Sequence, residues 1–488
     1  MENLYQKFAK DVLIYGVATI FIQLGSIILI PIITKTLGAH DYGIWAQVQV
    51  TISLAMNLTL LGLAASMLRF LPAKTNKEEM QEEFYSVFYV IAAASLIMSI
   101  IFIAFADFIA AAFFDGATDV VRVTGLIILV YSLDTAFLTL FRVFQQVKRY
   151  SLFMIVNSYG QIGLIAYLVL NGHGILSVVL AVLSIQLLLL FIVFFIIKAQ
   201  IGIKRPHFCR MKEYFNYGVP TIPMSMASWV TTSSDRYVIA YFLGTTSVGV
   251  YSAAYGLGSI IFMFAGIVGF ILAPALFKLY DEGRISEVKT HLSYSLKYIL
   301  ALAIPFVFGA AVLDKPVLRL FSTAEIAGEG YLVTPLIALG ILFSCANSVI
   351  CVILGLVKKM KLVAAIYIIA AVANLGLNIL VVPYLGILGA AIATLISSLL
   401  VLGLTTYYAF KEFKFDIGWH FIAKSLVASA IMSSAVWLMH PQSSLAIIIT
   451  VVVGVAVYGI ALLLLRGFNE EEFKFFRELV GKGKVSSP

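Results

Sequence analysis

Apolar residues run along this chain in long blocks, separated by short polar or glycine-containing stretches. The blocks fall at 12–34, 43–68, 84–106, 120–141, 151–170, 175–197, 214–234, 247–273, 292–313, 331–357, 362–382, 386–410, 419–440 and 444–465. Each is close to the roughly 20 residues that an α-helix needs to cross a ~30 Å hydrocarbon core. The pattern predicts an all-α polytopic membrane protein with about fourteen transmembrane helices. The third and sixth blocks are unbroken. The seventh is diluted by Thr231, Thr232, Ser233, Ser234, Asp235 and Arg236.

Composition excludes other classes. The chain has 488 residues, of which 61% are hydrophobic and 12% charged. A soluble chain is roughly 45–50% apolar and about 25% charged, so a soluble enzyme and a disordered protein are both ruled out. Cys209, Cys345 and Cys351 are too few for a disulfide framework or a metal site. Met1 to Asp11 is polar, and the block after it is too long for a signal-peptide core, so a retained first span is expected.

The net charge is +8. The useful question is which side of the membrane carries it. With a cytoplasmic N-terminus, 28 of the 33 Lys and Arg fall on the inner side. Lys35, Arg122, Arg236, Lys315 and Arg319 are left toward the outer side. That asymmetry predicts cytoplasmic N- and C-termini in the cell membrane, and it leaves nucleic acid without a role as partner. Outer loops reach roughly 17 residues and inner segments roughly 16–22, too short for a catalytic domain. GxxxxGK[ST], HExxH and CxxC are absent from the sequence. An enzyme is not expected, and transport is the default.

The chain also repeats. Tyr15-Gly16-Val17-Ala18-Thr19-Ile20 recurs as Tyr217-Gly218-Val219-Pro220-Thr221-Ile222, and Leu37-Gly38-x4-Gly43-x-Trp45 recurs as Leu243-Gly244-x4-Gly249-x-Tyr251. Val147-Lys148-Arg149 recurs as Val357-Lys358-Lys359, and Gly174-Ile175-Leu176 as Gly386-Ile387-Leu388. Asn157 and Gln161 match Asn374 and Asn378. Five matches in order predict that spans 1–6 resemble spans 7–12 in the same orientation. The implied units are 1–198 and 199–410, each a six-helix bundle, then 411–466 with spans 13 and 14, then a cytoplasmic amphipathic tail at 467–488. In that tail Phe473, Phe476, Leu479 and Val480 would form an interfacial face. Parallel repeats place a cleft between the bundles, and rocking would alternate access to it. Pro220, Pro223, Pro305 and Pro335 are candidates to kink helices there.

These residues carry a resemblance. The run from Leu13 through LGAHDYGIW (37–45), Arg69 at the end of the second span, and Asp235-Arg236 leading to LGTTSVGVYSAAYG (243–256) all contribute. So does Asn374…Asn378…Pro383-x-x-Gly386-x-x-Gly389-Ala390-Ala391. Together they are similar to the polysaccharide transporter (Wzx-like oligosaccharide flippase) family of the multidrug/oligosaccharidyl-lipid/polysaccharide exporter superfamily. The resemblance covers essentially the whole chain. Fourteen spans resemble the flippases, whereas drug exporters of the superfamily usually have twelve. The arginine-rich early motifs of the lipid II flippase branch are not seen.

What the resemblance implies is a flippase for cell-surface polysaccharide synthesis. It would move an isoprenoid-diphosphate-linked oligosaccharide from the cytoplasmic to the outer leaflet. Membrane lipid and polysaccharide polymerase or glycosyltransferase machinery would be its partners, and no cofactor is expected. Each glycan hydroxyl buried without a partner costs roughly 2–7 kcal/mol, so a hydrated polar cleft with a lateral opening for the isoprenoid is required. An H+ or Na+ gradient could drive the cycle. So could the membrane potential, which is worth about 2.3 kcal/mol per charge per 100 mV. A cation-coupled exporter of drugs or small metabolites on the same fold is the alternative, and a scaffold subunit of a synthesis complex is the third class.

The candidate site residues follow from cost. Charges inside spans usually face a cavity or a partner. Asp134, in the fourth span, is the clearest. Asp235 and Arg236 are adjacent, and adjacent helix residues do not face one another. They are therefore expected to point to different partners, with Arg236 in the cavity or snorkelling at the outer interface. Arg69 and Arg142 would make an electropositive inner mouth or serve as ordinary anchors, and Lys35 and Arg122 have the same two readings outside. Gln23, Gln47 and Asn57 offer amides in the first two spans. Asn157 with Gln161, and Asn374 with Asn378, each share a helix face and suit interhelical bonds or glycan hydroxyls; occurrence in both bundles favours the bonds. Trp229, Tyr251 and Tyr255 could stack on sugars or simply pack.

Overall fold

The structure is a computed structural model that describes residues 2–74, 76–263, 276–468 and 472, the side chains of 2–10, 12 and 13 excepted. No strand occurs among the described residues. The N-terminal helices are α1 (Glu2–Thr59), α2 (Leu63–Phe70), α3 (Lys77–Ala104), α4 (Ala106–Phe113), α5 (Thr118–Val143), α6 (Val147–Leu170) and α7 (Ile175–Ile201). Then come α8 (Met211–Gly218), α9 (Ile222–Gly258), α10 (Ile285–Phe321) and α11 (Ala324–Gly330). The last are α12 (Val333–Leu356), α13 (Met360–Glu412), α14 (Trp419–Met439) and α15 (Ser444–Leu464).

The all-α polytopic fold is present. Among the described residues, 10 helices are long and apolar enough to cross a membrane. Two of them, over Ile14–Thr59 (46 residues) and Met360–Glu412 (53 residues), are each long enough for two crossings of about 20 residues. Fourteen separate spans are thus not counted directly. α9 is absent from the ten, as its hydroxyls and ion pair dilute the apolar run.

Three stretches at which the apolar pattern breaks are kinks where non-helical backbone separates two arms of α1, α9 and α13. The bends lie at Gly38 (φ 84°), Gly244 (φ 83°) and Gly386 (φ 61°). Gly38 and Gly244 are the first glycines of the two LGx4G matches, and a left-handed φ costs glycine almost nothing. The second glycines have a different task. A Cβ on Gly43 would stand 1.8 Å from the Thr245 carbonyl oxygen, and one on Gly249 would stand 2.0 Å from that of Ala39. The repeated motif is therefore where α1 and α9 cross backbone on backbone. Small residues allow such close approach in lipid, where apolar surface gains nothing by association. A second crossing lies at the other end, where a Cβ on Gly62 would come within 2.1 Å of the Gly218 carbonyl oxygen.

Pro220 sits in a 3-10 turn between α8 and α9, and Pro223 and Pro335 lie in the first turns of α9 and α12. Gly218, Thr221 and Ile222, like Tyr331 and Leu332, keep right-handed helical angles, so the prolines interrupt α-helical bonding within helical runs, as a missing N–H requires. Pro305 is interior to α10.

Packing groups the helices. Phe84, Phe137 and Ile197 join α3, α5 and α7. Ile299, Ile353 and Ile366 join α10, α12 and α13. Ile33, Trp45, Ile239 and Tyr251 hold α1 against α9. α14 and α15 pack on α10 through Met432, Val436 and Val457. The segment after α7 is tied back to α3: His207 N donates to Ser86 Oγ (2.8 Å), and Lys204 meets Glu78 and Glu82 at 2.7 and 3.1 Å. Those hydrogen bonds hold the Lys204 pKa above its ordinary value. The amphipathic face at 473–480 lies outside the described residues. Glu472 of the same tail pairs with Lys297 at 2.6 Å.

Candidate functional site

Polar side chains lie on facing stripes of the two long helices. On α1, Gln49, Ser53 and Asn57 are four apart and share one face. On α9, Ser225, Ser228, Trp229 and Thr232 share another. Trp229 Nε1 donates to Ser53 Oγ at 2.8 Å, which fixes the two stripes against each other. Asn57 Nδ2 donates to the Ser53 carbonyl at 2.9 Å. Gln49, Ser53, Ser225, Ser228 and Thr232 stay exposed in the middle of long apolar helices. Exposed polar groups at that depth line a water-filled space in membrane proteins. A cavity of about 240 Å³ continues from this face. It is bounded by Ser26, Tyr42, Trp45, Gln49, Ser158 and Gln161.

The sequence candidates are distributed around it. Trp229 and Asn57 both bond to Ser53, one to its hydroxyl and the other to its carbonyl. Gln23 is exposed on the first arm of α1, three residues before Ser26. Asn157 accepts from Gln161 Nε2 at 2.8 Å, so this amide pair borders the cavity. Arg69 and Arg142 are both exposed, and the Arg142 guanidinium lies 5.7 Å from the Tyr150 ring, which stacks on Tyr15. Lys35 donates to the Leu320 carbonyl at 2.6 Å, and Arg122 pairs with Asp119 at 3.2 Å.

Asp235 and Arg236 differ from expectation. They pair with each other at 2.9 Å, and both are buried, at 1% and 7% exposure. The arginine chain is long enough to fold back along its own helix, where Nη1 also donates to the Thr232 carbonyl at 2.9 Å. Tyr251 donates to the other Asp235 oxygen, and the guanidinium lies 4.2 Å from the Tyr255 ring centroid. Arg236 neither snorkels nor faces the cleft. Tyr251 and Tyr255 serve this ion pair.

The amide pair Asn374 and Asn378 is buried at 1% and 0% exposure. Asn378 Nδ2 donates to the Asn374 carbonyl (2.9 Å) and to its Oδ1 (3.2 Å). These bonds, like the one between Asn157 and Gln161, run within a helix. A four-residue spacing puts the amides of each pair in reach of each other, and Asn157 of α6 also hydrogen-bonds Tyr131 of α5, a bond between helices.

Asp134 is buried at 2% exposure on α5, and its Oδ1 has no hydrogen-bond partner among the described residues. Gln47 and Gln186 are fully buried, and their amides are likewise unpartnered there.

Two features escaped the sequence reading. Glu83, 7% exposed, collects Lys74 (2.7 Å), Arg210 (3.1 Å) and Tyr214 Oη (2.7 Å) beside the Gly62–Gly218 crossing. The signal was the acidic run at 78–83 opposite the basic run at 198–212. Asp115 receives Thr245 N at 3.2 Å near the other crossing.

Comparison with known proteins follows the same lines. The family described as polysaccharide biosynthesis protein matches residues 8–280, and the MatE family matches 220–380. The "probable low-salt glycan biosynthesis flippase Agl15" of Haloferax volcanii is 26% identical over 288 residues, which cover 58% of this chain and 61% of that protein. The "probable flippase AglR" of the same organism is 26% identical over 172 residues, 35% of each chain. The matched stretch thus spans under two thirds of either relative. Among solved structures, the lipid II flippase MurJ in an inward closed conformation superposes with TM-score 0.75 at 18% identity, covering 96% of this chain and 100% of that one. An inward-facing multidrug resistance MATE transporter gives 0.66 at 15%, covering 81% and 94%. These superpositions establish the shared fold.

Proposed function

The chain belongs to the polysaccharide biosynthesis protein family, and from that premise we propose that it is a flippase for isoprenoid-diphosphate-linked oligosaccharide. It carries its substrate from the cytoplasmic to the outer leaflet of the cell membrane, with both termini in the cytoplasm. The observation that carries the reading is the pair of facing polar stripes on α1 and α9, which offers hydroxyls and amides to a glycan in mid-membrane. The names of the two Haloferax relatives support it.

The substrate has three parts, and the chain has a suitable surface for each. The glycan meets Gln23, Gln49, Ser53, Asn57 and Thr232, groups that both donate and accept, and the ring of Trp229. The diphosphate is drawn to the exposed Arg69 and Arg142 at the inner mouth. The isoprenoid remains in a lipid-like groove of about 550 Å³ between α10, α14, α15 and the end of α9. Residues 1–198 and 199–410 act as the moving bundles, joined at the two glycine crossings. Access from either side needs one crossing to part. On the inner side that includes loosening the bonds at Glu83. No step breaks a covalent bond. Polymerase or glycosyltransferase machinery would take up the product.

A second reading, a cation-coupled exporter on this fold, is favoured by the uncompensated Asp134 and by the MatE match. Liposomes separate the two. Purified protein is reconstituted with a fluorescent isoprenoid-diphosphate oligosaccharide in one leaflet, with and without ΔpH, a Na+ gradient or a potential. Protein-dependent appearance of the label in the other leaflet is expected, accelerated by one of the gradients. Absence of transfer together with gradient-driven uptake of a cationic dye overturns the flippase reading.

A further inference from the structure

The side of the membrane poor in basic residues holds five, and three of them converge. Lys35 reaches the Leu320 carbonyl, next to Arg319, and Lys315 lies one turn before Arg319 on α10. Lys315 and Arg319 line a cavity of about 580 Å³ that is closed by Ala327, Gln442, Ser443 and Ile447. Both side chains are exposed, and neither has an ion-pair partner within 4 Å among the described residues. The Lys315 ammonium lies 5.5 Å from the Tyr331 ring, which holds it at the cavity rim.

The apolar groove shares α10 and α15 with this cavity and adds α14. Leu313 and Val317 of α10, Met432 and Val436 of α14, and Val451 and Val455 of α15 line it. A basic cavity beside an apolar groove along α10 is complementary to an amphiphile with an anionic head and a hydrocarbon tail. Asp314 also lines the groove, and its carboxylate disfavours an anion there. The anion's place is therefore at Lys315 and Arg319.

We infer that Lys315 and Arg319 form a release site for the diphosphate of the lipid-linked product in the outer leaflet, with the isoprenoid in the adjoining groove. The inference rests on the flippase reading and deepens it. Two cations match a diphosphate better than the single charge of a phospholipid phosphodiester. Arginine adds a planar fork suited to phosphate oxygens. The three basic residues lie where the positive-inside tendency would leave the fewest.

The test uses the full chain in nanodiscs with a benzophenone-bearing isoprenoid diphosphate, photolysed and mapped by peptide mass spectrometry. Labelling of peptides within 301–321 and 432–455 is expected. In the Lys315→Gln/Arg319→Gln variant it should fall about tenfold or more, since each charge-assisted bond to phosphate is worth roughly 1.5–3 kcal/mol. The melting temperature should be unchanged, because both side chains are exposed. Labelling that persists in the variant overturns the inference. So does equal competition by phosphatidylglycerol and unlabelled isoprenoid diphosphate, which assigns the cavity to a phospholipid. The readout is equilibrium labelling and needs no transfer, so a failure of the flippase reading in liposomes remains distinguishable from a failure here.

Discussion

Two buried aspartates set the N-terminal and C-terminal portions of this protein apart. Asp235 is saturated: its neighbour Arg236, the Arg236 amide and Tyr251 take both oxygens. Asp134 is as deeply buried, and one of its oxygens has no partner among the described residues. The amide pairs differ in access instead. Asn374 and Asn378 are buried, with Asn374 Nδ2 and Asn378 Oδ1 unpartnered among the described residues, whereas Gln161 of the matching pair borders a 240 Å³ cavity. A compensated buried charge is a structural element, because breaking it strands its partner. An uncompensated one must take a proton or wait for a cation. The C-terminal cluster is therefore a fixed post, while the N-terminal aspartate keeps an oxygen unpartnered among the described residues.

The largest expected effect breaks the post. Arg236→Ala leaves Asp235 buried without its counter-ion and should lower stability by about 3–5 kcal/mol, read as the thermal unfolding of detergent-solubilised protein. Adding Asp235→Asn to that variant should restore much of the loss. If the single variant melts like the parent, the pair is not structural.

Next, Asp134→Asn should separate stability from transport. Replacing a carboxylate that has one oxygen unpartnered among the described residues by an amide of the same shape should shift stability by no more than about 1 kcal/mol. Gradient acceleration of flipping in liposomes should disappear while gradient-independent transfer remains. A large melting shift with normal coupling would make Asp134 a structural residue like Asp235.

Trp229→Phe removes the bond to Ser53 between the two long helices while keeping the ring. The stability cost should be about 0.5–1.5 kcal/mol, with slower transfer of the glycan-bearing lipid. An unchanged transfer rate would remove the cleft from the substrate path. The smallest effect is expected from Asn378→Leu, about 0.2–0.5 kcal/mol, the range for side-chain pairs four apart on one helix, with transport unaffected.

Much of this was legible in the sequence, and the rest was not for definite reasons. The LGx4G repeat marks the crossing of α1 and α9 because both of its glycines are required by geometry, one for φ and one for clearance. Asp134 stood out because a carboxylate in mid-span is rare. The pairing of Asp235 with Arg236 was misread because helix spacing describes where Cβ atoms point, and a long flexible side chain can turn back on its own helix. Glu83 looked like one of four glutamates on a solvated face. It is buried because a segment more than 120 residues later folds over it.

The sequence by itself determined the solvent and the helical class, through apolar blocks of membrane length and a repeated glycine motif. Those properties depend on composition and local spacing, which do not change with packing. The tertiary structure alone decided which polar groups face each other. Whether a buried group is paired, open to a cavity or stranded depends on distant segments meeting at ångström range. That is why Trp229 met Ser53, why Glu83 gathered its cations, and why Lys315 and Arg319 came to lie beside an apolar groove.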